Sequence, residues 1–83
     1  MTLEIIFKQN LLQNFIRIQN EGFKVMIIDE TKIEIYNIEA FGLDPDYDEE
    51  HTLLMFKDNE EQYSRIPVED VIAYQLYQEK DNK

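Results

Sequence analysis

Eighty-three residues with 43% apolar content, five Phe and five Tyr supply one small hydrophobic core and exceed what a disordered chain carries. Eighteen acids against eight bases give a formal charge of −10, which argues against binding nucleic acid through a broad basic surface and against docking on an anionic membrane leaflet. Without Cys there are no disulfides or thiolate metal sites, and no apolar run reaches membrane-spanning length.

Met1 to Asn10 holds no basic segment followed by a long apolar one, so no secretory signal is expected, and the chain reads as a soluble, cytoplasmic protein. Residues 2–7 keep two periods at once. Leu3, Ile5 and Phe7 alternate as in a strand, whereas Leu3, Phe7 and Leu11 keep helical spacing. Residues 9–20 form a helix: at about 100° per residue, Leu11, Leu12, Phe15, Ile16 and Ile18 fall in a stripe of roughly 160°. Gln9, Asn10, Gln13, Asn14 and Arg17 make its polar face. Gly22 can take the left-handed conformation that stops a helix, with Phe23 folding back onto the last turn.

Beyond Gly22 the period becomes two. Residues 23–29 form a strand with Phe23, Val25 and Ile27 on one face, and residues 32–38 form a second with Ile33 and Ile35 against Lys32 and Glu34. Residues 51–57 and 62–66 are the third and fourth strands, joined by a turn over Asp58, Asn59, Glu60 and Glu61. Pro67 cannot donate to a ladder and ends the fourth; Val68, Glu69 and Asp70 fit one helical turn. Residues 71–77 favour a fifth strand through their β-branched and aromatic content, with Tyr74 and Tyr77 on opposite faces. No repeat, flexible linker or low-complexity tract divides the chain, so a single domain over residues 1–83 is expected.

Helix, four strands, one helical turn and a fifth strand across residues 9–77 resemble the small five-stranded antiparallel barrels of the SH3-like and Sm-like type, which place a short helical turn before the last strand. The resemblance implies a mainly β fold with one N-terminal helix; a helix packed on an antiparallel sheet, an α+β fold, is the alternative. Asp29 and Glu30 stand where the Sm-like first hairpin usually has Asp-Gly, and Arg65, Ile66 and Pro67 lack the RNA-contacting signatures of that family. Its RNA-binding role is therefore not carried over from fold order alone.

Residues 39–61 hold nine acids (Glu39, Asp44, Asp46, Asp48, Glu49, Glu50, Asp58, Glu60 and Glu61) against Lys57 alone, so nine minus one leaves this window −8 of the total −10. Asp44, Asp46 and Asp48 match the opening of a calcium loop, but Glu49 replaces its glycine and Met55 takes the place of its closing Glu, so no metal site is assigned. Carboxylates about 6–7 Å apart along an extended backbone match the spacing of nucleic-acid phosphates. Asp44, Asp46, Asp48, Glu49, Glu50, Asp58, Glu60 and Glu61, with Tyr47 as an aromatic anchor, are the candidate partner-binding residues for a protein with a basic surface, such as a nuclease.

In charge profile the chain is similar to anti-CRISPR proteins, anti-restriction proteins and other DNA mimics, and to immunity proteins that plug nucleases. The similarity implies an inhibitor encoded by a phage or plasmid. Two alternatives stand beside it: acids that serve solubility alone, and a small-barrel module that oligomerises and binds RNA or peptide. Met26 and Ile28 need cover from the helix or from another chain. One His, one Ser and no Cys leave almost no nucleophile–base combination, so neither catalytic residues nor a cofactor are assigned and the chain is read as not an enzyme.

Overall fold

A computed structural model describes residues 1–45 and 52–78 of the chain. Among the described residues seven strands form two antiparallel sheets, and one helix packs with them over a common core. The strands are β1 (Thr2–Phe7), β2 (Val25–Ile27), β3 (Lys32–Ile35), β4 (Ile38–Pro45), β5 (Thr52–Asp58), β6 (Tyr63–Pro67) and β7 (Val71–Tyr77). The helix, α1 (Leu11–Asn20), follows β1, and a single 3-10 turn, Val68–Asp70, separates β6 from β7. One sheet has the order β2-β3-β1-β7 and the other β4-β5-β6.

The double periodicity of residues 2–7 resolves as a strand because β1 lies at the centre of the four-stranded sheet. Leu3 and Ile5 stand opposite Ile35 and Ile33 of β3 and opposite Leu76 and Tyr74 of β7. Leu3, Ile5, Phe7, Ile33 and Ile35 are buried there, facing Ile38, Leu54, Phe56 and Ile66 from the other sheet. Ile18 and Phe23 close the core from the helix side, Phe23 meeting Phe56 edge-on at 5.2 Å. Burying these side chains contributes about 1.5–3 kcal/mol each relative to exposure.

The helix ends as its glycine requires. Gly22 has φ +101°, and the N–H groups of Gly22 and Phe23 donate to the carbonyls of Gln19 and Ile18 at 3.0 and 3.3 Å. Its faces differ from the sequence expectation. Leu11, Phe15 and Ile18 turn inward, but Leu12 and Ile16 are exposed and Asn14, expected outside, is only 4% exposed. The cause is Asp70, buried in the 3-10 turn. Its carboxylate accepts from Asn14 Nδ2 at 3.1 Å, Gln9 Nε2 at 3.1 Å and Asn10 Nδ2 at 3.2 Å. Arg17 adds a second clasp on the same side, donating from Nη1 to Ser64 Oγ at 2.8 Å and from Nη2 to the Arg65 carbonyl. The polar face of the helix thus docks it onto β6 and the 3-10 turn.

Two expected strands shorten, two shift by one residue, and one strand is added. The strand expected at 23–29 shortens to Val25–Ile27, because the link to β3 begins at Ile28, and Asp29 Oδ1 accepts from the N–H and hydroxyl of Thr31 at 2.9 and 3.1 Å. This Asx turn does the work that glycine would do in a primed turn. The strand expected at 32–38 breaks at Tyr36 and Asn37, where Asn37 has φ +62° and the chain passes into the other sheet. The Ile38 N–H then donates to the Met1 carbonyl at 2.7 Å. β4, whose residues from Glu39 on fall in the acidic stretch, is a full strand pairing with β5 from Ile38↔Asp58 to Pro45↔Thr52. Among the described residues there are seven strands where five were expected, paired as two antiparallel sheets of four and three, and β6 and β7 share no ladder.

Candidate functional site

The described members of the expected partner-binding set, Asp44, Asp58, Glu60 and Glu61, are divided between two ends of the three-stranded sheet. Asp44 is exposed near the end of β4 opposite Leu53, beside Pro45 and Thr52, between which residues 46–51 are attached. Asp46, Tyr47, Asp48, Glu49 and Glu50 lie outside the described residues. Asp58, Glu60 and Glu61 stand at the other end, five residues along β5 from Leu53, or about 17 Å at the usual rise per residue.

Asp58 is not available to a partner. It is only 5% exposed, and its carboxylate organises the β5–β6 turn by accepting from the N–H groups of Glu60 and Gln62 at 2.9 Å each and from Gln62 Nε2 at 2.8 Å. Burial pushes this carboxyl up, but the hydrogen bonds from Gln62 and Glu60 outweigh burial and hold it below its ordinary value. Glu61 takes φ +70° at the same turn. Glu60 and Glu61 are exposed. Lys57 reaches Glu39 at 3.2 Å and Glu61 at 3.9 Å, and its ammonium lies 5.8 Å from the centre of the Tyr63 ring. The hydrogen bond to Glu39 and the charges of both glutamates hold the Lys57 amine above its ordinary value.

Between the two acidic ends lies a face that the sequence did not reveal. Alternation sends Phe41 inward and Ala40, Gly42 and Asp44 outward on β4, beside Lys57, Met55 and Leu53 on β5 and Tyr63, Arg65 and Pro67 on β6. A depression of about 280 Å³ lies over Ala40, Gly42, Met55 and Tyr63. A second of about 410 Å³, sharing Met55 and Tyr63, runs on towards Arg17 and Glu21 of the helix. Tyr63 is 63% exposed. The signal that could have located this face was the pair of small residues Ala40 and Gly42 at strand spacing.

The other described tyrosines are engaged. Tyr36 and Tyr77 donate to the two carboxylate oxygens of Glu34, each at 2.8 Å, on the outer face of the four-stranded sheet. Tyr74 packs edge-on to Phe41 at 6.0 Å. Among the described residues no three His, Cys, Asp or Glu side chains gather as metal ligands, and no helix is long and apolar enough to cross a membrane. Comparison with protein-family models, curated proteins and solved structures finds no match to this chain.

Proposed function

We propose that this chain is a small, non-catalytic binding protein that presents its carboxylates to the basic, nucleic-acid-binding groove of a partner enzyme and so inhibits it, in the manner of anti-CRISPR, anti-restriction or nuclease-immunity proteins of mobile elements. The observation that carries the reading is where Lys57 sits. This one base among the nine acids of residues 39–61 is engaged by Glu39 and Glu61 at one end of the three-stranded sheet. Asp44 stands four residues along the sheet from it, about 13 Å away, and shares no ion pair with it. Charge left uncompensated in this way accelerates encounter with a cationic surface and selects for it.

The small-barrel reading of the fold belongs with this proposal. β3 continues through a corner at Asn37 into β4 of the other sheet, and the 3-10 turn carries β6 round to β7, which are the two corners such a barrel uses.

Affinity capture with the wild-type chain, followed by the same capture with Asp46, Asp48, Glu49 and Glu50 all changed to Lys, tests the function. The wild type should retain a nucleic-acid enzyme and compete with its DNA or RNA in a salt-sensitive way, while the quadruple variant releases it and melts at a similar temperature. Equal binding by both proteins would refute the reading. Self-association is a second reading with one observation in its favour: Met26, Ile27 and Ile28 on and beside the edge strand β2, and Leu12 and Ile16 on α1, are all exposed. Sedimentation at increasing concentration tests it, and a monomer throughout would dismiss it.

A further inference from the structure

Gly42 lies within β4, and neither of the usual backbone reasons for a glycine applies there. Its φ lies outside the left-handed region, and the register runs without a shift from Ala40↔Lys57 to Pro45↔Thr52, the irregularity falling earlier, between Ile38 and Ala40. Nothing stands within 4 Å of where a Cβ would be, so crowding does not demand a glycine either. A glycine inside a strand weakens it, and with regular register and an ordinary φ at Gly42, close approach by another molecule is the reason that fits the open space above it.

The space above Gly42 is about 280 Å³, at the lower edge of the roughly 300–1,000 Å³ typical of small-molecule pockets, which suits one inserted side chain rather than a cofactor. Met55 lies beside Gly42 and Tyr63 diagonally across β5, a flexible thioether and an exposed aromatic ring of the kinds that anchor protein contacts, and Lys57, held by Glu39 and Glu61, completes the lining. Exposed acids stand at both ends of this face: Asp44 at one, Glu39, Glu60 and Glu61 at the other. Arg65, across Met55 from Gly42, has no ion-pair partner among the described residues and lies on the helix side. An apolar centre with a charged rim is the ordinary anatomy of a protein interface.

We infer that the outer face of β4, β5 and β6 is where the partner docks, with the space above Gly42 receiving one bulky apolar side chain that the partner carries between basic residues. This rests on the acidic-binder reading above and adds the seat at its centre.

Synthetic peptides with lysines on both sides of a central Phe, Leu or Ala, and matching peptides with glutamates in place of the lysines, are titrated into the isotope-labelled chain and followed by NMR. The lysine-flanked Phe and Leu peptides should bind about tenfold or more tighter than the Ala peptide, the scale of a filled apolar pocket. They should shift the amides of Gly42, Met55 and Tyr63, and the glutamate-flanked peptides should not. Gly42→Leu fills the seat; it should keep the melting temperature and lose the preference for Phe and Leu over Ala. Equal binding by the Phe, Leu and Ala peptides, or an unchanged preference in Gly42→Leu, overturns the seat while leaving the acidic reading in place. No binding by any lysine-flanked peptide overturns both. Concentration-dependent self-association abolished by Gly42→Leu would make the occupant a second copy and overturn the inference.

Discussion

The contact that fixes the helix to the rest of the fold is the three-amide grip on Asp70, and its removal has a size that can be worked out. Asp70 is 4% exposed, and the Asn14 amide that meets it is buried as well. A buried hydrogen bond to a charged acceptor contributes about 1.5–3 kcal/mol, so about 2 kcal/mol is assigned to Asn14. Gln9 and Asn10 reach the same carboxylate from partly buried positions, at about 0.5 kcal/mol each. Asp70→Ala should therefore destabilise the fold by about 3 kcal/mol, from a total of roughly 4–12 kcal/mol for a chain of this length. That corresponds to a fall in melting temperature of roughly 12–24 °C. Urea unfolding followed by circular dichroism measures the loss, and a cycle with Asn14→Ala isolates the pair, with an expected coupling of about 1–2 kcal/mol. Asn14 Nδ2 keeps its bond to the Asn10 carbonyl at 2.8 Å, which is why the coupling is smaller than the whole loss. A loss below about 1 kcal/mol with no coupling would refute the view that this network docks the helix.

Asp58 makes a pH prediction. Its carboxyl is held low in the folded chain, so the unfolded chain binds the proton more readily. The stabilisation is full above the ordinary carboxyl range, near pH 4 and higher, and is lost as pH falls through the depressed folded value. Asp58→Ala should cost about 1–2 kcal/mol at pH 7 and flatten the acid side of the stability curve; an acid limb identical to wild type would contradict this. The two glycines should respond in opposite ways. Gly22→Ala places a Cβ at φ +101° and against the Gln62 side chain, and should destabilise by about 1–2 kcal/mol, whereas Gly42→Ala should be neutral or stabilise by about 0.5 kcal/mol. Equal urea midpoints for the two variants would refute the distinction. Finally, a chain of charge −10 repels itself, so raising NaCl from low to physiological ionic strength should raise the melting temperature, and a fall would show that ion pairs such as Lys57 with Glu39 outweigh repulsion.

The readable parts of the fold are those whose cause lies within a few residues. The helix is announced by its apolar spacing and its glycine stop, and the 3-10 turn and β7 by Pro67 and a β-branched, aromatic run. β4 escaped because Glu39, Gly42 and Asp44 lower its strand propensity, and only pairing with β5 makes it a strand. The inward turn of Asn14 is invisible to local periodicity because its partner, Asp70, lies 56 residues away. Asp58, a candidate contact by its charge, stands at the head of a turn before Asn59, Glu60 and Glu61, a position that suits a carboxylate accepting from the neighbouring backbone.

Residue inventory and local period establish a chain rich in β structure with one helix, eighteen acids and few nucleophiles, because charge and side-chain alternation are properties of neighbouring residues. Register and long-range pairing settle the rest. They put Asp44 and Glu61 at opposite ends of one sheet, withdraw Asp58 into a turn, spend Lys57 on Glu39 and Glu61, and leave open space above Gly42. Each of these depends on which residue stands opposite which, and a shift of one position would turn every side chain of β4 to the other face.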